Sequence, residues 1–448
     1  MNTMISNPEK RTGTVFRNWS GSVNTSPSAF YYPATIEEVQ HIVRTLPAGQ
    51  SVRTVGGGHS FTPVAAGTDA MISLDKLAGI VRVDPETKRV RFLAGTRLHR
   101  IPEYLKPFGL ALANQGDIDV QSVAGAISTS THGTGIEWTG FAGTVTGLSL
   151  IDAAGDRRDY SIDTAPDALR LVTVSLGALG VIVEVEMQCV DAFDLLAEEG
   201  AESLDAVLDS WEERSRAVDH YEAFWFPHTD RAMVKSNTRL APGAPAPGGE
   251  PTVRGRFTRF IEDDLIGNGA FAAALAVARV FPRATPKLNS VAAGAMAANR
   301  YRSRAHDVFA TPRRVRFHEM EFAVPLEAGP EAVREIRREM DRRNWLIPFP
   351  LELRTTAADD VALSTSTGRE SMYIAFHVPK AMNPHEFFPP IQDVLKAAGG
   401  RPHWGKMHTL GRADFADMYP RFDEFCALRE HMDPTWKFGS EHLRQLFS

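Results

Sequence analysis

The sequence predicts an α+β fold divided between two domains, and three observations predict it. The chain has 448 residues, more than one ordinary hydrophobic core organises. From residue 30 to 190, runs with the alternating period of a half-buried strand recur between short capped helices. Past residue 192 the character changes to helical blocks, aromatic strands and a loop of Pro, Gly and Ala.

Thr35 stands before Ile36, Val39, Ile42 and Val43, an apolar stripe at helical spacing. Glu38, three residues on, completes a helix-start signature. Ser51 to Val55 reads as a β-branched strand, Met71 to Leu74 as another, and Lys88 to Gly95 alternates as a third. Arg97 to Phe108 reads as a helix ended by Pro107 and Gly109. Gly147 to Ala153 and Val181 to Met187 are further strands. Glu202 to Val218 is expected to be helical. Tyr221 to Val234 alternates around Phe224-Trp225-Phe226, and Ala241 to Gly249 can only be a loop. An alanine-rich helical block then runs to about residue 300. Val315 to Val324 and Met372 to Val378 read as strands flanking a basic amphipathic helix from Pro330 to Asn344. Met418 to Phe447 is helical and is expected to return to the first domain. The division is an N-terminal segment 1–25, domains 26–192 and 193–410, and a C-terminal segment 411–448.

Composition excludes several classes. A formal charge of −6 with both signs interspersed gives no basic footprint for nucleic acid. The two cysteines, Cys189 and Cys426, form no C-x-x-C pattern, so neither a disulfide framework nor a thiolate metal site is expected, and no metal is assigned. No run reaches the roughly eighteen apolar residues of a transmembrane helix. Met1 to Gly13 lacks the apolar core of a signal peptide. A cytoplasmic protein is expected, peripheral to a membrane only if it feeds a respiratory chain.

Three glycine-rich stretches point to a ligand. Val55-Gly56-Gly57-Gly58-His59-Ser60-Phe61 follows a strand, and bare backbone with exposed amides suits a pyrophosphate. The alternative is a tight turn with a solvated histidine, because the G-x-G-x-x-G spacing is absent. Asn114 to Gly135 is dominated by small residues and hydroxyls, with Gly116, Asp117, Ser122, Gly125, Ala126, Thr129, Thr131 and His132. With no apolar period, this stretch is expected to lie against a flat ligand instead of building core. Ser175 to Val181, including Gly180, is the third. Toward the C-terminus, Glu352 and Arg354 share one strand face at period two, either as a plain ion pair or as a pocket wall. Lys406, after His403-Trp404-Gly405, is either a solvated lysine or a cation beside developing negative charge.

In their order and spacing these motifs resemble the vanillyl-alcohol-oxidase-type (PCMH-type) flavoproteins. Within them, the chain is similar to the sugar-1,4-lactone oxidases and dehydrogenases of the gulonolactone/arabinonolactone oxidase kind and to the alditol oxidases. The match opens at Asn18-Trp19 and runs nearly to the end of the chain. The resemblance implies a two-domain fold, with an FAD-binding α+β domain, an α+β cap over the isoalloxazine, and a C-terminal tail returning to the FAD domain. It implies FAD bonded covalently through its 8α carbon to His59. It further implies pyrophosphate on the turn of Gly56, Gly57 and Gly58, Gly125, Thr129 and His132 along the flavin, and Val181 at the nucleotide end.

The implied reaction is oxidation of a sugar 1,4-lactone (L-gulono-, L-galactono- or D-arabinono-type) at its C2 hydroxyl, with hydride passing to flavin N5. Glu352 and Lys406 are the candidates for proton transfer. Arg354 and Lys406 are the candidates for stabilising charge on the reduced flavin. His377 follows a strand at a position where alditol oxidases carry a threonine, which favours a lactone. Asp117 replaces a serine that touches substrate in alditol oxidases. Gly116 occupies a loop controlling dioxygen access, leaving dioxygen and a cytochrome- or quinone-type acceptor both open. Two alternatives stand beside this reading: an alditol (xylitol or sorbitol) oxidase releasing hydrogen peroxide, and a non-catalytic carbohydrate binder with a vestigial flavin site.

Overall fold

The computed structural model describes residues 8–249, 251–253, 268–294, 298–311 and 315–448. Thr35 caps the first helix, Ile36–Thr45, accepting from Glu38 N at 3.2 Å while the Glu38 carboxylate accepts from Ala34 N. That helix crosses between strands of a four-stranded sheet. Its members are β1 (Glu9–Arg11), β2 (Ala29–Tyr32), β3 (Val52–Val55) and β4 (Ala70–Ser73), in the order β1-β2-β4-β3. Both β2 and β3 run parallel to β4.

A second, antiparallel sheet contains β5 (Ile80–Asp84), β6 (Arg89–Leu93), β7 (Leu110–Leu112), β8 (Val145–Ile151), β9 (Arg157–Ser161) and β10 (Val181–Asp191). Its order is β9-β8-β10-β6-β5, with β7 pairing the end of β10. Only Ala192 and Phe193 separate β10 from the next sheet.

That sheet is nine-stranded among the described residues. Its strands are β11 (Asp194–Ser203), β12 (His220–Trp225), β13 (Arg231–Leu240), β14 (Thr252–Val253), β15 (Asn299–Arg304), β16 (Phe317–Pro325), β17 (Leu351–Thr356), β18 (Ser371–Pro379) and β19 (Arg401–Pro402), in the order β14-β15-β11-β13-β12-β17-β18-β16-β19. Period-two alternation gives its central strands two unlike faces. On one, Ala223, Trp225, Met320, Phe322, Leu351, Leu353, Ile374 and Phe376 are buried in a core shared with helices Gly329–Arg342 and Pro384–Ala397. The other carries Glu222, Phe224, Glu319, Glu321, Glu352, Arg354 and His377, all buried except the half-buried Phe224. A charged face hidden from water needs partners, and those partners form the site below.

Helices Arg412–Met418, Phe422–Met432 and Glu441–Phe447 bracket a turn whose Lys437 carbonyl accepts from Val52 N at 2.7 Å.

Four expectations change. Residues 97–108 form one helical turn, Ile101–Leu105, between two 3₁₀ turns, and Gly109 closes it at φ +64°. Glu202 lies in β11; the helices after it are Leu204–Asp209 and Trp211–Ala217, with Trp211 anchored edge-on to Tyr221. The small-residue stretch does contain a helix, Val123–Ser128, capped by Ser122 through Gly125 N, with Val123 and Ile127 in the core. His377 sits inside β18, not after it. Of the alanine-rich block, Asn268–Val280 and Thr285–Gly294 are helices. Residues 254–267 and 295–297 of the expected block lie outside the described residues.

Candidate active site

β3 delivers the chain into Gly56-Gly57-Gly58, which lines a cleft of about 950 Å³. The opposite wall is the segment 120–125, and it lies so close that side chains are excluded. A Cβ on Gly57 would stand 2.7 Å from the Val120 carbonyl oxygen, and Gly58 has φ +66°. The N–H groups of Gly57, Gly58, His59 and Ser60 donate to no protein acceptor among the described residues. Backbone donors left together beside a cleft form the anion-binding concavity that a pyrophosphate requires. The residues present therefore fit a dinucleotide.

Arg53 underpins this wall. Its guanidinium donates to the carbonyls of Val64 and Leu176 (both 2.6 Å), Gly177 (2.9 Å) and Phe438 (2.5 Å). Burial pushes its pKa down to about 10. One side chain thus joins β3, the 3₁₀ turn Pro63–Ala65, the third glycine-rich stretch and the C-terminal tail.

A second cavity, about 930 Å³, meets the first along His59, Ser60, Gln121 and Thr129, which line both. His59 is stacked on Trp19, ring centroids 5.2 Å apart. Burial, and then the Lys406 cation, push His59 down to about 4, so its imidazole is neutral at physiological pH. A neutral imidazole keeps a nucleophilic lone pair.

One wall of the second cavity is the charged face of the nine-stranded sheet. Period-two spacing in β16 places Glu319 and Glu321 side by side. Lys406 Nζ lies 2.5 Å from Glu319 and 3.9 Å from Glu321. His377 Nε2 approaches Glu319 at 3.4 Å, and His132 Nε2 approaches Glu321 at 3.1 Å. Burial alone would raise both carboxyls. Lys406 and His377 together outweigh it at Glu319, and His132 with Lys406 holds Glu321 well below the usual range. Lys406 is itself held above its ordinary value, burial being outweighed by the two glutamates. Its cationic form is thereby favoured.

Arg354 forms the second charged group. It pairs with Glu352, with Glu222 at 3.1 Å and with Asp117 at 3.8 Å; Lys235 reaches Glu222 at 3.5 Å. Burial opposes its charge, but the carboxylates outweigh burial and hold the guanidinium above its ordinary value. Glu352 and Arg354 are thus both an ion pair and a pocket wall. His403 accepts from Gly405 N at Nδ1, and burial lowers its pKa to about 3, leaving it neutral. Phe224, Phe317 and Phe349 supply apolar wall.

The structure brings together residues far apart in sequence. Val55, Gly56, Gly57, Gly58, Ser122, Gly125 and Gly180 line the first cleft. Phe61, Gly116, Asp117, His132, Glu352, Arg354, His377, His403 and Lys406 line the second. Two expected lining residues do not: Ala126 and Val181 are 1% exposed and face the core, while Gly125 and Ile182 beside them reach the cleft. Gly116 has a packing reason of its own, since an added Cβ would stand 2.7 Å from the His132 carbonyl oxygen. Arg53, Glu222, Lys235, Glu319 and Glu321 were not singled out in the sequence. The one available signal was the His318-Glu319-Met320-Glu321-Phe322 alternation, which also describes a strand facing solvent.

Against this geometry stand the relatives. Residues 185–446 match the family model for D-arabinono-1,4-lactone oxidase, and residues 27–161 match an FAD binding domain. An L-gulono-1,4-lactone dehydrogenase of Mycobacterium tuberculosis is 35% identical, covering 96% of this chain and 99% of its own. An L-gulonolactone oxidase of Mus musculus is 30% identical over 97% and 98%. The crystal structure of cholesterol oxidase from B. sterolicum superposes with a TM-score of 0.81 over 98% of each chain at 17% identity, which establishes the shared α+β fold. The chain therefore belongs to the D-arabinono-1,4-lactone oxidase family and carries that family's architecture behind an FAD-binding domain.

Proposed function

We propose that the protein oxidises an aldono-1,4-lactone at its C2 hydroxyl, with FAD tethered to His59. The observation that carries this reading is the meeting of the two cavities at His59. One is walled by bare backbone donors and suits a dinucleotide; the other is walled by buried charges and suits a polyhydroxylated substrate. FAD, when bound, supplies the two-electron acceptor for the hydride leaving C2.

The remaining work falls to this chain's residues. Glu352 and Asp117, both at Arg354 Nη2, are placed to accept hydrogen bonds from substrate hydroxyls, and Glu352 is the group assigned to take the C2 hydroxyl proton. Arg354, fixed by three carboxylates, donates in an orientation it cannot easily leave. Lys406 is the fixed cation available to negative charge developing on the isoalloxazine. Residues 26–192 with the tail form the cofactor half, and 193–410 the substrate half. Electrons leave to dioxygen or to a cytochrome- or quinone-type acceptor.

The test is anaerobic. L-Gulono-1,4-lactone, D-arabinono-1,4-lactone and xylitol are each mixed with holoprotein, and the visible flavin absorption is followed. Bleaching by a lactone and not by xylitol supports the proposal. Bleaching by xylitol alone transfers the assignment to the alditol oxidases, and bleaching by none supports a carbohydrate binder.

A further inference from the structure

We propose that Trp19 is a positioning residue for the covalent bond between His59 and FAD; the inference rests on His59 being the attachment point. The imidazole of His59 lies at the junction of the two cavities, on a glycine turn that by itself would leave it free to rotate. Trp19 removes that freedom. Its ring stacks on the imidazole at 5.2 Å with 23° between planes, and it is held edge-on by Phe317 at 5.1 Å and Phe61 at 6.3 Å.

The backbone around it is clamped to the same turn. Trp19 N donates to the Gly58 carbonyl at 2.7 Å, and Asn18 Nδ2 donates to the Ser60 carbonyl at 2.9 Å. Ser22 Oγ donates to the Phe61 carbonyl at 3.2 Å, while Phe61 N donates to Gly405 O from the far side. The segment from Asn18 to Ser22 therefore grips each residue flanking His59, and the indole covers one face of the imidazole. Phe317 belongs to β16, so the clamp is completed by the substrate half of the molecule.

Bond formation makes the demand for orientation concrete. The imidazole nitrogen bonds to the 8α carbon and loses its proton, and the 8α methyl gives up one hydrogen as a proton. The electron pair of that C–H bond reduces the ring system, and dioxygen then takes the pair with both protons to give hydrogen peroxide. No substrate contact is involved. A nitrogen presented at a fixed angle within bonding reach is what the step needs, and effective concentrations from such fixing are large.

The experiment uses full-length Trp19→Ala, Trp19→Leu and Trp19→Phe, expressed with ample riboflavin and separated after acid denaturation into covalent and released FAD. Total FAD per chain is measured beside the covalent fraction. The expected result for Trp19→Ala and Trp19→Leu is near-normal total FAD with the covalent fraction, or its rate of formation on adding FAD to apoprotein, reduced at least tenfold. Trp19→Phe, which keeps a ring to stack, should recover most of it. A full covalent fraction in Trp19→Ala or Trp19→Leu overturns the inference, as does loss of total and covalent FAD in parallel across all three variants. Should Trp19→Ala fail to fold, the other two variants decide. Wild-type protein that releases all its FAD overturns the His59 reading instead, so the two failures are distinct.

Discussion

Replacing Lys406 by Met removes a cation that faces both Glu319 and Glu321. With Nζ at 2.5 Å and 3.9 Å, an effective dielectric of about 20 gives gross attractions of about 7 and about 4 kcal/mol. Most of this offsets the desolvation of three charges. What an isosteric deletion exposes is the cost of stranding the partners, about 3–5 kcal/mol for a buried pair. The two carboxyls would respond by taking up protons. In the wild-type protein both have folded-state values below the ordinary 4.5. The unfolded chain therefore binds more protons near that pH, so the stability they contribute is complete above about 4.5 and is lost as pH falls through their folded values. Deleting Lys406 shrinks that depression, and the stability gap between variant and wild type should narrow below about pH 4.5. Urea unfolding at neutral and acid pH measures both effects. In the same variant, anaerobic single-turnover reduction of bound flavin should slow by about 10²–10³-fold, the loss typical of one preorganised charge-stabilising donor, and Lys406→Arg should retain more of the rate. A variant as stable as wild type at every pH, with unchanged flavin reduction, would refute the reasoning.

Three further outcomes follow from the geometry. Arg53→Met strands four carbonyls, three of them buried, that now accept from one guanidinium, and should cost about 2–5 kcal/mol; urea midpoints, with limited proteolysis of the tail beyond residue 432, check it. Gly57→Ala drives a methyl against the Val120 carbonyl at 2.7 Å, so backbone must shift, at about 1–3 kcal/mol. The same shift disturbs the amide cradle, and FAD retained through gel filtration should fall. His403 has a pKa near 3, so it stays neutral across the working range. The pH profile of flavin reduction should be the same in His403→Gln as in wild type wherever both fold, and a lost limb would show otherwise.

The fold was legible where one element signals itself. Thr35 and Glu38 announce a helix start, Arg89–Leu93 alternates, and the step from β10 to β11 coincides with the change of character near residue 192. The helix at Val123–Ser128 was hidden because alanine, glycine and serine give no amphipathic contrast; its cap, Ser122, was the remaining sign. His59 and Lys406 stood out through glycines beside them. Glu319, Glu321 and Glu222 did not, because a strand alternating charge with Phe or Met reads the same whether its polar side meets water or another domain. Arg53 was invisible for a related reason: its four acceptors are backbone carbonyls as distant as Phe438, and no residue type marks a carbonyl. Pairings between Arg354, Glu222 and Asp117 span three separate strands and loops, so only topology assembles them.

Peptide mapping of the purified holoprotein by mass spectrometry tests most directly whether the isoalloxazine lies where the two cavities join. The account predicts the mass of FAD on the peptide containing His59, and on no other. The same mass on a different residue, or an unmodified His59 peptide from protein that has bound FAD, would contradict it.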